Sequence, residues 1–103
     1  MAEFVTTIRT DEIKPGGMKA IDVRGTTIAV ANVDGVYYAF DDTCTHEQCS
    51  LAEGEMLTGA KVTCFCHGSE FDVRSGEVLA PPAIEPVKVY RTRIAGDALQ
   101  IEV

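Results

Sequence analysis

No stretch of this chain is long and apolar enough to span a membrane: the longest run without a charge, Gly25 to Val33, falls far below the ~18 apolar residues a span needs. Basic residues are scarce, 9 against 16 acids for a net charge of −7. That balance excludes a nucleic-acid or anionic-membrane surface, because phosphates attract basic patches. It suits transient docking on basic partner surfaces, and acids also simply keep a chain in solution. Met1-Ala2-Glu3-Phe4 lacks the basic and apolar regions of a signal peptide, so the expected location is cytoplasmic; a chain trimmed of an anchor would read the same way. Repeats, linkers and low-complexity tracts are missing, as are a phosphate-binding glycine loop and a nucleophile–base pairing.

A long 3.6-residue period is missing too, which excludes a helical fold. With 103 residues the chain reads as one domain, 1–103, burying only roughly 65% of its unfolded surface. Short alternating runs punctuated by Gly, Asp and Pro predict strands at Phe4–Ile8, Met18–Val23, Thr26–Val33, Lys61–Cys64, Glu70–Val73, Glu77–Leu79 and Leu99–Val103. Val87 to Ile94 reads as one alternating strand. Asp34-Gly35 predicts a hairpin pairing Thr27–Val33 with Val36–Phe40. Eight to ten short strands with little helix make an all-β barrel or sandwich. Tyr37, Tyr38 and Phe40 are expected in the basal core, and Phe65 near the tip.

Both histidines and three of the four cysteines sit in two short stretches, Cys44-Thr45-His46 and Cys64-Phe65-Cys66-His67. Each stretch offers one thiolate and one imidazole. Two Cys on one iron and two His on the other are what a Rieske-type [2Fe–2S] cluster takes. The mixture has an electrostatic reason. Two ferric ions, two sulfides and four thiolates sum to a dianion; two neutral imidazoles in place of two thiolates leave a neutral core that accepts an electron more readily. With every protein-side iron position filled, no coordination site remains for a substrate, which points to an electron carrier and not an enzyme. Structural zinc is a rival, but Cys-x-His departs from the usual spacing of paired zinc ligands. Two disulfides are another, and would leave both histidines idle.

The resemblance to the Rieske ferredoxin family extends beyond the ligands. Asp42-Thr43-Cys44-Thr45-His46, Ser50-Leu51-Ala52-Glu53-Gly54, Cys64-x-x-His67-Gly68 with Phe71-Asp72, Ser75-Gly76 and Pro81-Pro82 all match its pattern. The resemblance implies three antiparallel sheets, with a cluster-binding part at about 41–72 and a basal part from 1–40 and 73–103. It implies one [2Fe–2S] cluster, with Cys44 and Cys64 on the inner iron and His46 and His67 on the solvent-facing one. Small members of this length resemble the electron shuttles of multicomponent aromatic-ring dioxygenases. Their partners are a flavin-containing reductase and a terminal oxygenase, and the expected state is monomeric. The alternative is a Rieske subunit or head of another redox complex, of the cytochrome bc or nitrite-reductase type.

Cys49 and Cys66 resemble the extra cysteine pair of respiratory Rieske proteins, which implies a Cys49–Cys66 disulfide; a pair of reduced thiols is the other reading. Ser69 matches the hydroxyl that, in those relatives, bonds a bridging sulfide and raises the potential. Phe71 stands where they usually have a tyrosine donor, which lowers it. Glu47 follows a histidine ligand directly, where an acid opposes added negative charge and raises a nearby imidazole's pKa. The expected potential is therefore low to intermediate. Pro81-Pro82 reads either as a stiff loop beside the cluster, shielding it from water, or as a plain connector.

Overall fold

Paired left-handed residues make the hairpins of this chain. In the computed structural model, which describes residues 3–45 and 48–103, Arg24-Gly25 and Asp34-Gly35 both have positive φ at the two central turn positions. Such turns match the right-handed twist of the strands they join. They connect β2 (Met18–Val23), β3 (Thr26–Val33) and β4 (Val36–Asp41), with Val23 opposite Thr26 and Val33 opposite Val36. With β9 (Val89–Tyr90) on the far edge of β4, they form a four-stranded sheet in the order β2-β3-β4-β9.

The chain ends form a second sheet. Its strands are β1 (Phe4–Arg9), β10 (Thr92–Ala95) and β11 (Ala98–Glu102), in the order β1-β11-β10. The third sheet, β5-β6-β7-β8, runs through Leu57–Thr58, Lys61–Thr63, Glu70–Asp72 and Val78–Ala80. All pairings are antiparallel. The protein is therefore all-β in three antiparallel sheets, with a 3-10 turn at Thr10–Glu12. Among the described residues no helix is long and apolar enough to cross a membrane.

Two cores meet at β3. Ile28 and Val30 pack with Val23, Ala39, Leu99 and Ile101 on the side of the terminal sheet. Ala29 and Ala31, pointing the other way, pack with Phe40, Leu51, Val62, Phe71 and the thiols of Cys44 and Cys64. Alternation along a strand sends successive side chains to opposite faces, so an unbroken apolar run is what a doubly buried strand requires. The same rule divides the β4 aromatics: Tyr37 packs on the terminal-sheet side, while Phe40 and Tyr38 belong to the core beneath the ligand loops and not to the basal one.

One expected strand divides in two. Val89 and Tyr90 pair with Phe40 and Ala39, but Thr92 onward pairs with β11 in the terminal sheet. The change of sheet falls at Arg91, whose carbonyl accepts the Glu102 N–H at 2.9 Å. The apolar–polar alternation runs on across the switch, so periodicity carries no mark of it. β5 was also unanticipated, being only two residues long.

The turn joining β7 to β8 is held by Asp72. Its carboxylate accepts the Arg74 backbone N–H at 2.8 Å and the Arg74 guanidinium at 2.8 and 3.0 Å. The Arg74 side chain lowers the Asp72 pKa, outweighing the effect of burial. A carboxyl whose folded pKa lies below its unfolded value, ~3.9, contributes stability above that value and loses it as pH falls through the folded pKa. Arg74 is exposed, so solvent screens the pair and Asp72→Asn is expected to cost only about 1 kcal/mol at pH 7. Urea unfolding at pH 7 and pH 3 checks this: the gap between variant and wild type should shrink at the lower pH.

Candidate functional site

Asp42 closes the first ligand loop like a clasp. Its backbone carbonyl accepts the Leu51 N–H at 2.7 Å, and its Oδ1 accepts the Ala52 N–H at 2.9 Å. Inside that closure Thr43 bridges to Ser50, and the Cys44 N–H donates to the Cys49 carbonyl at 2.9 Å. Asp42 is 4% exposed, so its loss would leave the Ala52 amide buried and unpaired. His46 and Glu47, the expected imidazole ligand and its acidic neighbour, lie outside the described residues.

The second loop turns tightly between β6 and β7. The Cys64 N–H donates to the Ser69 carbonyl at 2.7 Å, and the Gly68 N–H to the Cys64 carbonyl at 2.9 Å. Gly68 takes a positive φ of 79°, which a side chain would strain. The turn buries the Cys64 thiol and presents His67 at the surface.

Cys49 and Cys66 form a disulfide, with Cα atoms 6.6 Å apart. It ties the two loops together, as the respiratory resemblance implied. Cys44 and Cys64 remain as buried free thiols. The Cys64 thiol is pushed up in pKa chiefly by burial, and the neighbouring Cys44 thiol adds to the rise. The backbone N–H groups of Cys66 and His67 bond the same sulfur and oppose it. Such amides favour a thiolate ligand over a thiol, while burial keeps the proton in place until a metal ion displaces it.

The 81–86 segment lies against both loops. Thr45 donates its hydroxyl proton to the Glu85 carbonyl at 2.7 Å. On the other side, the Ala83 N–H donates to Ser69 Oγ at 3.0 Å. Ser69 is completely buried, and the Ala83 amide occupies an acceptor position, so the hydroxyl proton is left to donate. Pro81 is exposed and Pro82 half-buried, joined by a cis bond. Phe71, also completely buried, lies in the core that holds Cys44 and Cys64.

Two apolar side chains project from this end, Phe65 at 51% and Ile84 at 89% exposure. Phe65 rests on Gly54, where a Cβ would come within 2.9 Å of its Cδ1. The clasp of Asp42, the Thr45–Glu85 bond and the seat at Gly54 escaped the sequence reading. Asp42 and Gly54 stood inside the matched pattern, but their partners lie nine or more residues away and no local period marks them.

Two buried thiols on facing loops, an exposed imidazole beside one of them, a buried hydroxyl and sulfur-directed amides form a donor set suited to a histidine-ligated iron–sulfur cluster. Proximity alone would group Cys49, Cys64 and Cys66, whose sulfurs lie within 4.8 Å of one another. With Cys49 and Cys66 joined to each other, neither offers a thiolate.

Comparison with known proteins agrees with this geometry. Residues 3–91 match the family model described as the Rieske [2Fe–2S] domain. The biphenyl dioxygenase ferredoxin subunit of Pseudomonas sp. (strain KKS102) is 42% identical over 93 residues, spanning 90% of this chain and 85% of that one. The solved ferredoxin of carbazole 1,9a-dioxygenase from Nocardioides aromaticivorans IC177 superposes with a TM-score of 0.89 at 29% identity, covering 95% of each chain. A chain in a solved complex of reduced oxygenase and oxidized ferredoxin in carbazole 1,9a-dioxygenase gives a TM-score of 0.89 at 28% identity, over 95% of this chain and 91% of that one.

Proposed function

The chain belongs to the Rieske [2Fe–2S] domain family, and from that premise we propose that it is a one-electron carrier of an aromatic-ring dioxygenase system. It takes electrons from a flavin-containing reductase and delivers them to a terminal oxygenase, as a soluble cytoplasmic monomer serving aromatic hydrocarbon catabolism. The whole chain, 1–103, is one Rieske domain in this reading. The observation that carries it is the pair of buried free thiols, Cys44 and Cys64, facing each other on loops that also carry His46 and the exposed His67.

Cys44 and Cys64 would hold one iron and His46 and His67 the other. The bound cluster supplies a one-electron couple. The side chains around it set how readily the electron comes and goes. Ser69 holds a proton ready to donate, fixed in orientation by Ala83. Phe71 has none to give. Burial of both thiols keeps water from the sulfurs, and His67 at the surface marks the exit for the electron. A cleft of about 660 Å³ lined by Tyr37, Tyr38, Arg74, Lys88 and Tyr90 includes none of the three described ligands, Cys44, Cys64 and His67. The −7 net charge favours encounter with basic partner faces.

Potentiometric titration with EPR detection tests the proposal. A Rieske signal near the family's lower limit, about −150 mV, supports the oxygenase role. A midpoint near about +300 mV would instead support the second reading, a respiratory-type head, which the Cys49–Cys66 disulfide favours on its own. In the same titration Phe71→Tyr should raise the midpoint, because an added donor favours the reduced, more negative state. An unchanged or lowered midpoint would refute that account of the potential.

A further inference from the structure

Cys49, Cys64 and Cys66 place their sulfurs within 4.8 Å of one another. Cys44 is buried in the same core as Cys64, with Cys49 and Cys66 packed against it, and its N–H donates to the Cys49 carbonyl at 2.9 Å. All four cysteines of the chain therefore belong to one cluster of side chains between the two loops. We infer that the cluster-free chain, once its Cys49–Cys66 disulfide is reduced, holds a second, all-sulfur site for a thiophilic dication such as zinc, overlapping the cluster site at Cys44 and Cys64.

The geometry suits a tetrahedral ion. A zinc–sulfur bond of about 2.3 Å places tetrahedral sulfurs about 3.8 Å apart. Cys64 lies within 4.8 Å of both disulfide sulfurs, which part when their bond is broken. Cys44-x4-Cys49 falls in the usual spacing of paired zinc ligands, which the Cys-x-His stretch does not. Both loops are anchored independently of the disulfide, through the Asp42 clasp and the Cys64–Ser69 turn, so reduction leaves the four sulfurs near one another. The site is also sheltered, with Cys44 and Cys64 at 2% and 1% exposure.

The chemistry balances with a dithiol as reductant. Two electrons and two protons pass from the dithiol, which closes into its own cyclic disulfide, to Cys49 and Cys66. Metal binding then displaces the four thiol protons into solvent. While the disulfide is closed, its two sulfurs are withheld and only the mixed cysteine–histidine set can bind. The disulfide thus decides which donor set is on offer: two thiolates with two imidazoles while it is closed, four thiolates once it is open.

Cobalt(II) is the probe, titrated into the cluster-free full chain under argon, before reduction and after removal of the spent dithiol. The reduced chain should bind one tetrahedral cobalt, with thiolate charge-transfer absorption per bound ion about twice that of the oxidised chain, four thiolates replacing two. The reduced His46→Ala/His67→Ala variant should keep this spectrum. The Cys49→Ser/Cys66→Ser variant should give the weaker one. Reduced protein that binds no cobalt, shows no gain on reduction, or loses the bands with the histidines overturns the inference. Circular dichroism in the same titration covers loss of structure: metal should restore the β signal, and a chain left unfolded and colourless overturns the inference equally.

Discussion

Cys64→Ser, produced with ample iron and sulfide, is expected to emerge without a Rieske signal and with almost no acid-labile sulfide. A serine hydroxyl is nearly the same size as the thiol, so the turn held by the Cys64–Ser69 and Gly68–Cys64 bonds should survive. What is lost is the soft donor that iron–sulfur irons require. Cys44→Ser should behave alike, since both thiols are buried in one core. The informative contrast is Cys49→Ser/Cys66→Ser, which should keep the cluster while losing about 3 kcal/mol of stability through a loosened unfolded state. Iron and sulfide analysis with EPR separates the two pairs. Normal cluster content in Cys64→Ser, or an empty Cys49→Ser/Cys66→Ser protein that is otherwise folded, would reverse the assignment of ligands and crosslink.

Gly76→Ala is expected to be the most damaging glycine substitution in the chain. Gly76 sits in the β7–β8 turn with φ at +82°, donates to the Asp72 carbonyl at 2.7 Å, and accepts the Val87 N–H at 3.0 Å. A Cβ there would collide with the carbonyl oxygen of Val87, a backbone atom that cannot rotate aside. Left-handed strain costs about 1–2 kcal/mol and forced overpacking about 1–3 kcal/mol more, so the loss is set at about 4 kcal/mol. Gly35→Ala supplies the control: φ is +89° but nothing lies within 4 Å of the added carbon, leaving only the conformational cost of about 1–2 kcal/mol. Denaturant midpoints compare the two. Equal losses would mean that the Val87 contact contributes nothing.

The two Cys/His stretches stand out in the sequence because each packs its chemistry into three or four consecutive residues, and the β3–β4 hairpin because Asp34-Gly35 announces its own backbone geometry; the second paired left-handed turn, Arg24-Gly25, begins with an arginine that carries no such signal. The cysteine crosslink was legible only through resemblance, since four cysteines alone allow several pairings. Contacts that hold the loops in place were hidden for a shared reason. Ser69 meets the Ala83 amide and Thr45 meets the Glu85 carbonyl; in each case one partner is a backbone group, which every residue possesses. The change of sheet at Arg91 was hidden differently, because Val87 to Ile94 keeps its alternation and no glycine or proline interrupts it. Phe40 was placed in the wrong core because a strand buried on both faces does not say which neighbour lies on which side.

That doubly buried strand couples the two halves of the molecule. β3 is flanked by β2 and β4, and its side chains enter both cores. Its amides can therefore meet solvent only when both halves open, which makes the chain a single cooperative unit for hydrogen exchange. Any group that binds the native loops stabilises that unit as a whole. Occupancy at one end should therefore be readable, as slowed exchange, in the amides of Ile28 and Val30, whose side chains face the opposite core.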